Sequence, residues 1–357
     1  MPKRLAVSNR VLSESQVQLF RHDLLSWFDL FQRNLPWRKT RDPYALWISE
    51  TMLQQTRVAA VIPYFERFLA RFPTFQALAE APESDILAYW AGLGYYYRAR
   101  NLQKAARLIR SYGAFPDTYA DIRALPGIGD YTAAAVASIA FGLLHATVDG
   151  NVLRVLTRVL DDAADIASAR GRRHVTEQAS VLLDRSRPGD FNQAMMELGA
   201  TVCLPSNPQC LLCPVASLCA ARKRGTQHLR PVKTVKTKSI EEHRVVFWIE
   251  EAGRLLVWQR PEDSRLMPGF WELPERSELP AIGVGESLGT FRHGITLRNY
   301  RFDVRLGMAP ADLGVCRWVP MDALSRLPLS TVLKKAKRLV NKGDKAVATL
   351  RSSTASS

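Results

Sequence analysis

The chain has 357 residues, 47% of them hydrophobic and 23% charged, which is enough for two or three domains with proper cores and too ordinary a mixture for wholesale disorder. Its 49 Lys and Arg against 34 Asp and Glu leave a formal charge of +15, favouring a polyanionic partner, nucleic acid first and an acidic membrane second. No run of about 20 apolar residues exists to span a bilayer, and the opening MPKRLAVSNRVLSESQ lacks the apolar core of a secretory signal, so the protein is expected in the cytoplasm. From Ser13 to about Ala221 apolar residues recur at spacings of three and four, which predicts helices throughout. Asp42-Pro43 reads as N-cap and first position of the helix carrying LWISETML, and Gly92 and Gly94 break the pattern before YYYRARNLQKAARLIR. VDGNVLRVLTRVL starts a further helix with Asp149 at its mouth. Residues 222–239 hold seven Lys or Arg and no acid, and read as a basic linker. Beyond it the period becomes two: RVVFWIE, a turn at Ala252-Gly253, RLLVWQ, then YRFDVRL, in which Tyr300, Phe302, Val304 and Leu306 alternate with charged residues. Short helices are predicted near Met321 and Thr331, and the Ser/Thr-rich end, 345–357, as a frayed tail.

Several positions carry chemistry. LPGIGDYTAAAVASIA, residues 125–140, leads a proline and two glycines into a helix of small apolar residues. Gly127 and Gly129 can take positive φ without steric cost, so the turn can be tight and leave its amide N–H groups outward. The helix adds unpaired first-turn N–H groups and the positive end of its dipole, together a seat for a nucleic-acid phosphate; a plain change of chain direction is the alternative. Cys203, Cys210, Cys213 and Cys219 are spaced C-x6-C-x2-C-x5-C. One close pair flanked by single cysteines suits a 4Fe-4S cubane, whose corners each take one thiolate. Zinc also accepts four thiolates, but more often from two closely spaced pairs. Cys316 stands alone and reads as a core residue.

Glu50 has Leu46, Trp47 and Leu53 as helical neighbours. A carboxyl on such a face loses hydration and keeps a proton near neutral pH; a rim position paired with Arg57 is the alternative. Asp149 is either a plain N-cap or the partner of Glu50, in a pair whose unlike surroundings separate an acid from a charged stabiliser. In GLGYYYRARN the rings of Tyr95, Tyr96 and Tyr97 with the cations of Arg98 and Arg100 suit wedging into a base stack, and helix packing is the alternative for any one tyrosine.

Taken in this order, the motifs resemble one family. LPGIGDYTA is similar to the helix-hairpin-helix element of the endonuclease III-like base-excision glycosylases, VDGNV to the loop bearing their catalytic aspartate, and the cysteine spacing to their iron–sulfur loop. WISETMLQQT, GLGYYYRARN and FNQAMMELGA narrow the resemblance to the A/G-specific adenine DNA glycosylases of the MutY type. It implies an all-α, two-lobed glycosylase domain over 1–221 with an iron–sulfur loop at 203–219, and a Nudix or MutT-like α+β domain over 240–344 that senses 8-oxoguanine, with QRPEDSRLMPGFWELPE as its clearest match.

By that resemblance Glu50 protonates the departing adenine, Asp149 stabilises the positive sugar with Asn151 orienting it, and Tyr131 interacts with the sugar and both acids. Trp37, Arg38 and Glu197 match positions around the flipped base, and Gln54, Gln55 and Tyr95 positions that probe and wedge the stack opposite the lesion. Bifunctional relatives carry a lysine where Tyr131 stands; a phenol forms no imine, so little or no lyase activity is expected. The implied partner is duplex DNA holding A opposite 8-oxoguanine or G, bound by a monomer in the bacterial nucleoid, with one 4Fe-4S cluster as cofactor. Where the family commonly has Phe-Ser-His in a lesion-contacting loop, this chain has Phe291-Arg292-His293, so Arg292 either meets a phosphate or the reading of the lesion is rearranged. The glutamate-rich box of hydrolytic MutT relatives is missing, which argues against a nucleotide pyrophosphatase. A bifunctional pyrimidine glycosylase/lyase and a non-catalytic DNA-binding protein are the other readings.

Overall fold

A computed structural model describes residues 12–234 and 240–341, apart from 262, 265, 266, 296 and 297. The expected tail over 345–357 and the end of the expected linker, 235–239, lie outside the described residues. The chain divides into two compact units, Met1–Val235 and Lys236–Ser357.

The first unit is helical, and local chemistry sets its helix ends. In α1, Glu14–Phe31, Ser13 and Gln16 form a reciprocal capping box. In α2, Pro43–Leu53, Asp42 accepts from the Tyr44 and Ala45 N–H groups, and Pro43 fills the first position, where no N–H is needed. Threonine or serine caps Phe75–Glu80 (α4), Tyr119–Ala124 (α7) and Ala169–Leu182 (α10).

Two cores form. One gathers α2, Val58–Arg71 (α3), α4, Glu83–Trp90 (α5), Tyr97–Tyr112 (α6), α7 and Asp130–Phe141 (α8) around Trp47, Phe68, Phe72 and Trp90. The other gathers α1, Gly150–Val159 (α9), α10 and Pro188–Thr201 (α11) around Phe20, Leu24, Leu156 and Leu198. Because α1 belongs to the second core and precedes the first in sequence, the chain crosses between the lobes twice. The crossings, residues 32–42 and 142–149, and the helices beside them bring the chemistry together. Every residue of α2 from Tyr44 to Met52 is buried, so this helix has no solvated face on which a carboxylate could rest.

The segment read as a linker differs from expectation over 222–234. Helix Ala220–Arg224 (α12) continues into it, Val232 makes a bridge with Asp165, and Arg224, Thr226 and Arg230 all reach the buried carboxylate of Asp161. Arg224 and Arg230 are taken up as partners of that one acid, which helps the stretch pack instead of dangling.

In the second unit β1 (Ile240–Trp248) runs parallel to β6 (Arg298–Met308), which pairs antiparallel with β5 (Gly283–Ile295). A second sheet joins Glu250–Glu251 (β2), Arg254–Gln259 (β3), Trp271–Glu272 (β4) and Cys316–Pro320 (β7). Alternation works as read for Tyr300, Phe302 and Val304, which are buried, whereas Leu306 is exposed. Val246, Trp248, Leu255 and Val257 pack with the helix over 331–341 through Val332, Leu333 and Ala336, while Phe247, Ile249, Leu256 and Cys316 form a smaller cluster. Cys316 is thus a core residue, as expected. Residues 291–293, expected in a loop, lie in β5 opposite Phe302, Arg301 and Tyr300. Ladder pairing with β6 fixes alternate side chains: Phe291 stacks on Phe302 at 5.3 Å, and Arg292 stays exposed within 3.7 Å of Glu241.

Candidate active site

Glu50 sits in the last turns of α2, 4% exposed. Its Oε2 accepts a hydrogen bond from the Tyr131 hydroxyl at 2.7 Å, and Tyr131 lies in the first turn of α8, so the partner is Tyr131 and not Arg57, which caps α3. Burial pushes the Glu50 carboxyl up to about 7; the Tyr131 hydrogen bond opposes this and the nearby Asp149 carboxylate adds to it. Burial also drives the Tyr131 phenol well above its ordinary value, so it is a donor at neutral pH. The same hydroxyl is 3.2 Å from the Met196 sulfur on α11.

Asp149 is the N-cap of α9, as expected, accepting from Val152 N–H at 2.7 Å and from Asn151 Nδ2 at 2.8 Å. The carboxyl stands at a polar helix mouth, as expected, half-buried there, and its desolvation raises it despite those donors and the Arg154 charge. Arg154 in turn donates to Asn151 Oδ1, Gly199 O and Cys203 O, each at 2.8 Å, fixing the amide that holds the aspartate. Gly199 has to be glycine, because a Cβ there would stand 2.5 Å from Asn151 Cβ.

Glu197 on α11 is the opposite case. Burial alone would raise it, but Arg33 through its backbone N, Nε and Nη2, and Arg38 through Nη2, outweigh that and hold it at about 2. Trp37 packs edge-on against Phe65 at 5.5 Å. Trp37, Arg38, Glu50, Tyr131, Asp149, Asn151 and Glu197 all line one cleft of about 760 Å³, partly open to solvent, with apolar walls from Leu46, Leu53 and Ile139. Apolar walls with convergent polar groups are usual in small-molecule sites. Arg33 and Met196 also line it and escaped the sequence reading; an arginine four residues before a tryptophan is no signal until α11 brings Glu197 beside it.

The remaining expected residues lie outside this cleft. Gln54 caps the C-terminus of α2 and its amide is 3.3 Å from Thr132 Oγ1. Gln55 and Tyr95 are exposed tips of two turns, with φ of +59° and +48°. Tyr95 and Tyr97 point outward, 6.2 Å apart and nearly perpendicular, whereas Tyr96 turns inward and its hydroxyl accepts from Gly92 N–H. Arg98 is not a phosphate contact: it is 2% exposed, and Arg100 pairs with Glu83. In the turn before α8, Gly127 has φ of +80° with Asn101 where a Cβ would stand, but Gly129 is extended at −96°, so the expectation of positive φ at both holds for Gly127 alone. Arg123 closes this turn on the Ile128 carbonyl and Asp130.

The four cysteines follow α11 and ring a cavity of about 400 Å³ with Val155, Val159, Leu198 and Val215. None is in a disulfide, and burial together with the neighbouring thiols pushes Cys213 up to about 12. Thiols in such a place need positive metal to ionise. Among the described residues no three such groups converge closely enough to hold a single ion; the sulfurs surround a space. Arg158 braces the loop by donating to Leu204 O at 2.6 Å and Pro205 O at 2.9 Å, with Nη1 3.4 Å from Cys203 Sγ. Arg154 and Arg158, two cations four apart on a buried helix face, were the legible but unread signal for this support.

Residues 48–177 match the HhH-GPD superfamily of base excision DNA repair proteins. The chain is 37% identical to the adenine DNA glycosylase of Mus musculus over 91% of this chain and 78% of that protein, and 37% identical to that of Homo sapiens over 91% and 74%. The bacterial adenine DNA glycosylase of Buchnera aphidicola subsp. Baizongia pistaciae is 37% identical over 68% of this chain and 72% of its own. Among solved structures, a thermostable thymine-DNA glycosylase is 30% identical with a TM-score of 0.54, covering 59% of this chain and 98% of its own. Endonuclease III in a non-covalent DNA complex shares the fold at 24% identity and a TM-score of 0.51, covering 61% of this chain and 100% of its own. No described helix is long and apolar enough to cross a membrane. A carboxyl that keeps its proton, a second carboxyl held ready beside it, and kinship running through both units agree: the chain belongs to the adenine DNA glycosylases of the helix-hairpin-helix base-excision superfamily.

Proposed function

We propose that this adenine DNA glycosylase removes adenine mispaired with 8-oxoguanine or G from duplex DNA, as a monomeric, monofunctional enzyme acting on the genome inside the cell. The observation that carries the chemistry is the buried Glu50 carboxyl, still half-protonated near pH 7 and touching Tyr131 in a cleft it shares with Asp149.

With the nucleotide turned out of the stack, the base enters between Trp37 and the Glu197–Arg38 pair. Glu50 gives its proton to a ring nitrogen of the adenine. The N-glycosidic bond then breaks with its electron pair passing to the base, and C1′ is left positive. Asp149, held by Asn151 and the Val152 N–H at the dipole-positive end of α9, stabilises that cation as an anion. Water adds at C1′ and its proton returns to a carboxylate. Tyr131 holds Glu50 by a hydrogen bond and offers no amine, so strand cleavage through an imine is not available from that position.

Cys203, Cys210, Cys213 and Cys219 would hold the 4Fe-4S cluster; their half-buried thiols, in no disulfide and set around a largely apolar cavity, fit four separate iron corners better than one zinc. When bound, the group supplies charge to keep the thiols ionised and so fixes the loop that Arg154 and Arg158 grip. Gly127 and the first turn of α8 would seat a phosphate, and Gln54, Gln55 and Tyr95 would probe the stack. The unit beyond Val235, MutT-like by the motif at 259–275, would read 8-oxoguanine through Phe291, Arg292 and His293.

Single-turnover reactions on duplexes with A opposite 8-oxoguanine, G and C, each quenched with alkali, test the reading. Release is expected fastest opposite 8-oxoguanine, slower opposite G and least opposite C; equal rates, or intact strands throughout, would overturn it.

A further inference from the structure

Arg98 was expected at the DNA and lies instead in the interior, and its position assigns it a different task. It is the second residue of α6, and its guanidinium is shared between two turns that are distant in sequence. Nη1 donates to the carbonyls of Thr51 at 2.8 Å, Met52 at 3.2 Å and Gln54 at 2.6 Å, the C-terminal end of α2. Nη2 donates to the carbonyls of Leu93 at 3.2 Å and Gly94 at 3.1 Å, in the turn after α5. The planar cation also lies over the Trp90 ring at 5.3 Å and the Tyr95 ring at 5.5 Å.

Each of these turns ends in an exposed non-glycine residue with left-handed backbone, Gln55 directly after Gln54 and Tyr95 directly after Gly94. Such a conformation is unfavourable for a residue with a Cβ and persists only where surrounding contacts enforce it. The carbonyl preceding each strained residue is a ligand of the same guanidinium. A cation that satisfies the free carbonyls of a helix end here binds two tips into one rigid fork, with Glu50 on the same helix.

We propose that Arg98 is a positioning residue that presents Gln55 and Tyr95 to the duplex as a unit, so that both enter the stack together and base extrusion is coupled to the placement of Glu50. This rests on Gln55 and Tyr95 being the probing residues. Lysine keeps the charge but cannot fork between two turns. In full-length Arg98→Lys, 2-aminopurine fluorescence beside the target adenine should rise less on binding. The single-turnover rate on paired adenine should drop by about tenfold or more, the scale of one charge-assisted hydrogen bond. On adenine opposite an abasic site, already loosely stacked, the loss should be much smaller, and Arg98→Lys added to Tyr95→Ser should give little further loss on paired adenine. An equal loss on both substrates, or additive losses in the double variant, would overturn the proposal in favour of a purely structural arginine. If Tyr95→Ser and Gln55→Gly leave the fluorescence unchanged, the probing role fails and Arg98 with it; if they reduce it and Arg98→Lys does not, Arg98 alone fails. Should the lysine variant not fold, hydrogen exchange of the wild-type protein decides: the Thr56 and Leu93 amides opening with one free energy supports the coupling, and independent opening overturns it.

Discussion

Replacing Glu50 by Gln separates the chemistry of this carboxyl from its packing. The amide is nearly isosteric, and its oxygen can still accept from Tyr131, so the hydrogen bond at 2.7 Å survives. What is lost is a proton that the wild-type side chain retains up to about pH 7, against an ordinary value of 4.5. That difference corresponds to roughly 3 kcal/mol in favour of the protonated form in the folded state. The sign for stability follows. Below pH 4.5 both folded and unfolded chains hold the proton and nothing is lost; between 4.5 and about 7 the unfolded chain releases it first, and wild-type stability falls; above 7 the decline stops.

Glu50→Gln removes this dependence, so at pH 8 the variant should be more stable than wild type by up to about 3 kcal/mol, while losing about 10²–10⁴ in the rate of adenine release. The wild-type kcat/KM should fall as pH rises through about 7 and the variant should lack that limb. Chemical denaturation across pH 4–8 and single-turnover release from an A:8-oxoguanine duplex measure the two halves. A variant with near wild-type rate, or one destabilised at pH 8, would refute the assignment of a buried, proton-holding acid.

Tyr131→Lys places an amine between Glu50 and Met196, and borohydride should then trap an enzyme–DNA adduct that wild type does not form; absence of the adduct counts against the geometry. Iron and acid-labile sulfide should be found in equal amounts in purified protein, and Cys213→Ser should lower both and weaken DNA binding, whereas stoichiometric zinc would replace the cluster reading. Truncation after Val235 should reduce the preference for 8-oxoguanine over G more than basal release. Truncation after Lys223 should in addition destabilise the helical unit, because Asp161, 5% exposed, loses Arg224, Thr226 and Arg230; equal melting temperatures of the two truncations would contradict that. Arg292→Ser should change discrimination between 8-oxoguanine and G while leaving the rate on A:G nearly unchanged, measured by single turnover on both duplexes.

Features written within a few neighbouring residues were legible without the structure: the Asp42-Pro43 helix start, Asp149 as an N-cap, the change of period beyond residue 240, the cysteine spacing, and the apolar face that dries Glu50. Each depends on backbone hydrogen bonds, side-chain periodicity or ligand spacing within a short stretch of chain, so a short window contains both the cause and the effect. Other features depend on groups far apart in the chain, and only the tertiary structure decided them. Tyr131 meets Glu50 across 81 residues, and Arg33 meets Glu197 across 164. Arg98 resembled a solvated cation until α2 and the turn after α5 supplied five carbonyls for it. The run from 222 to 234 resembled a linker until Asp161 accepted Arg224 and Arg230, and residues 291–293 resembled a loop until β6 lay beside them. A charged side chain carries no local record of which distant carbonyl or carboxylate will take it out of water, and that choice is made only when the helices pack.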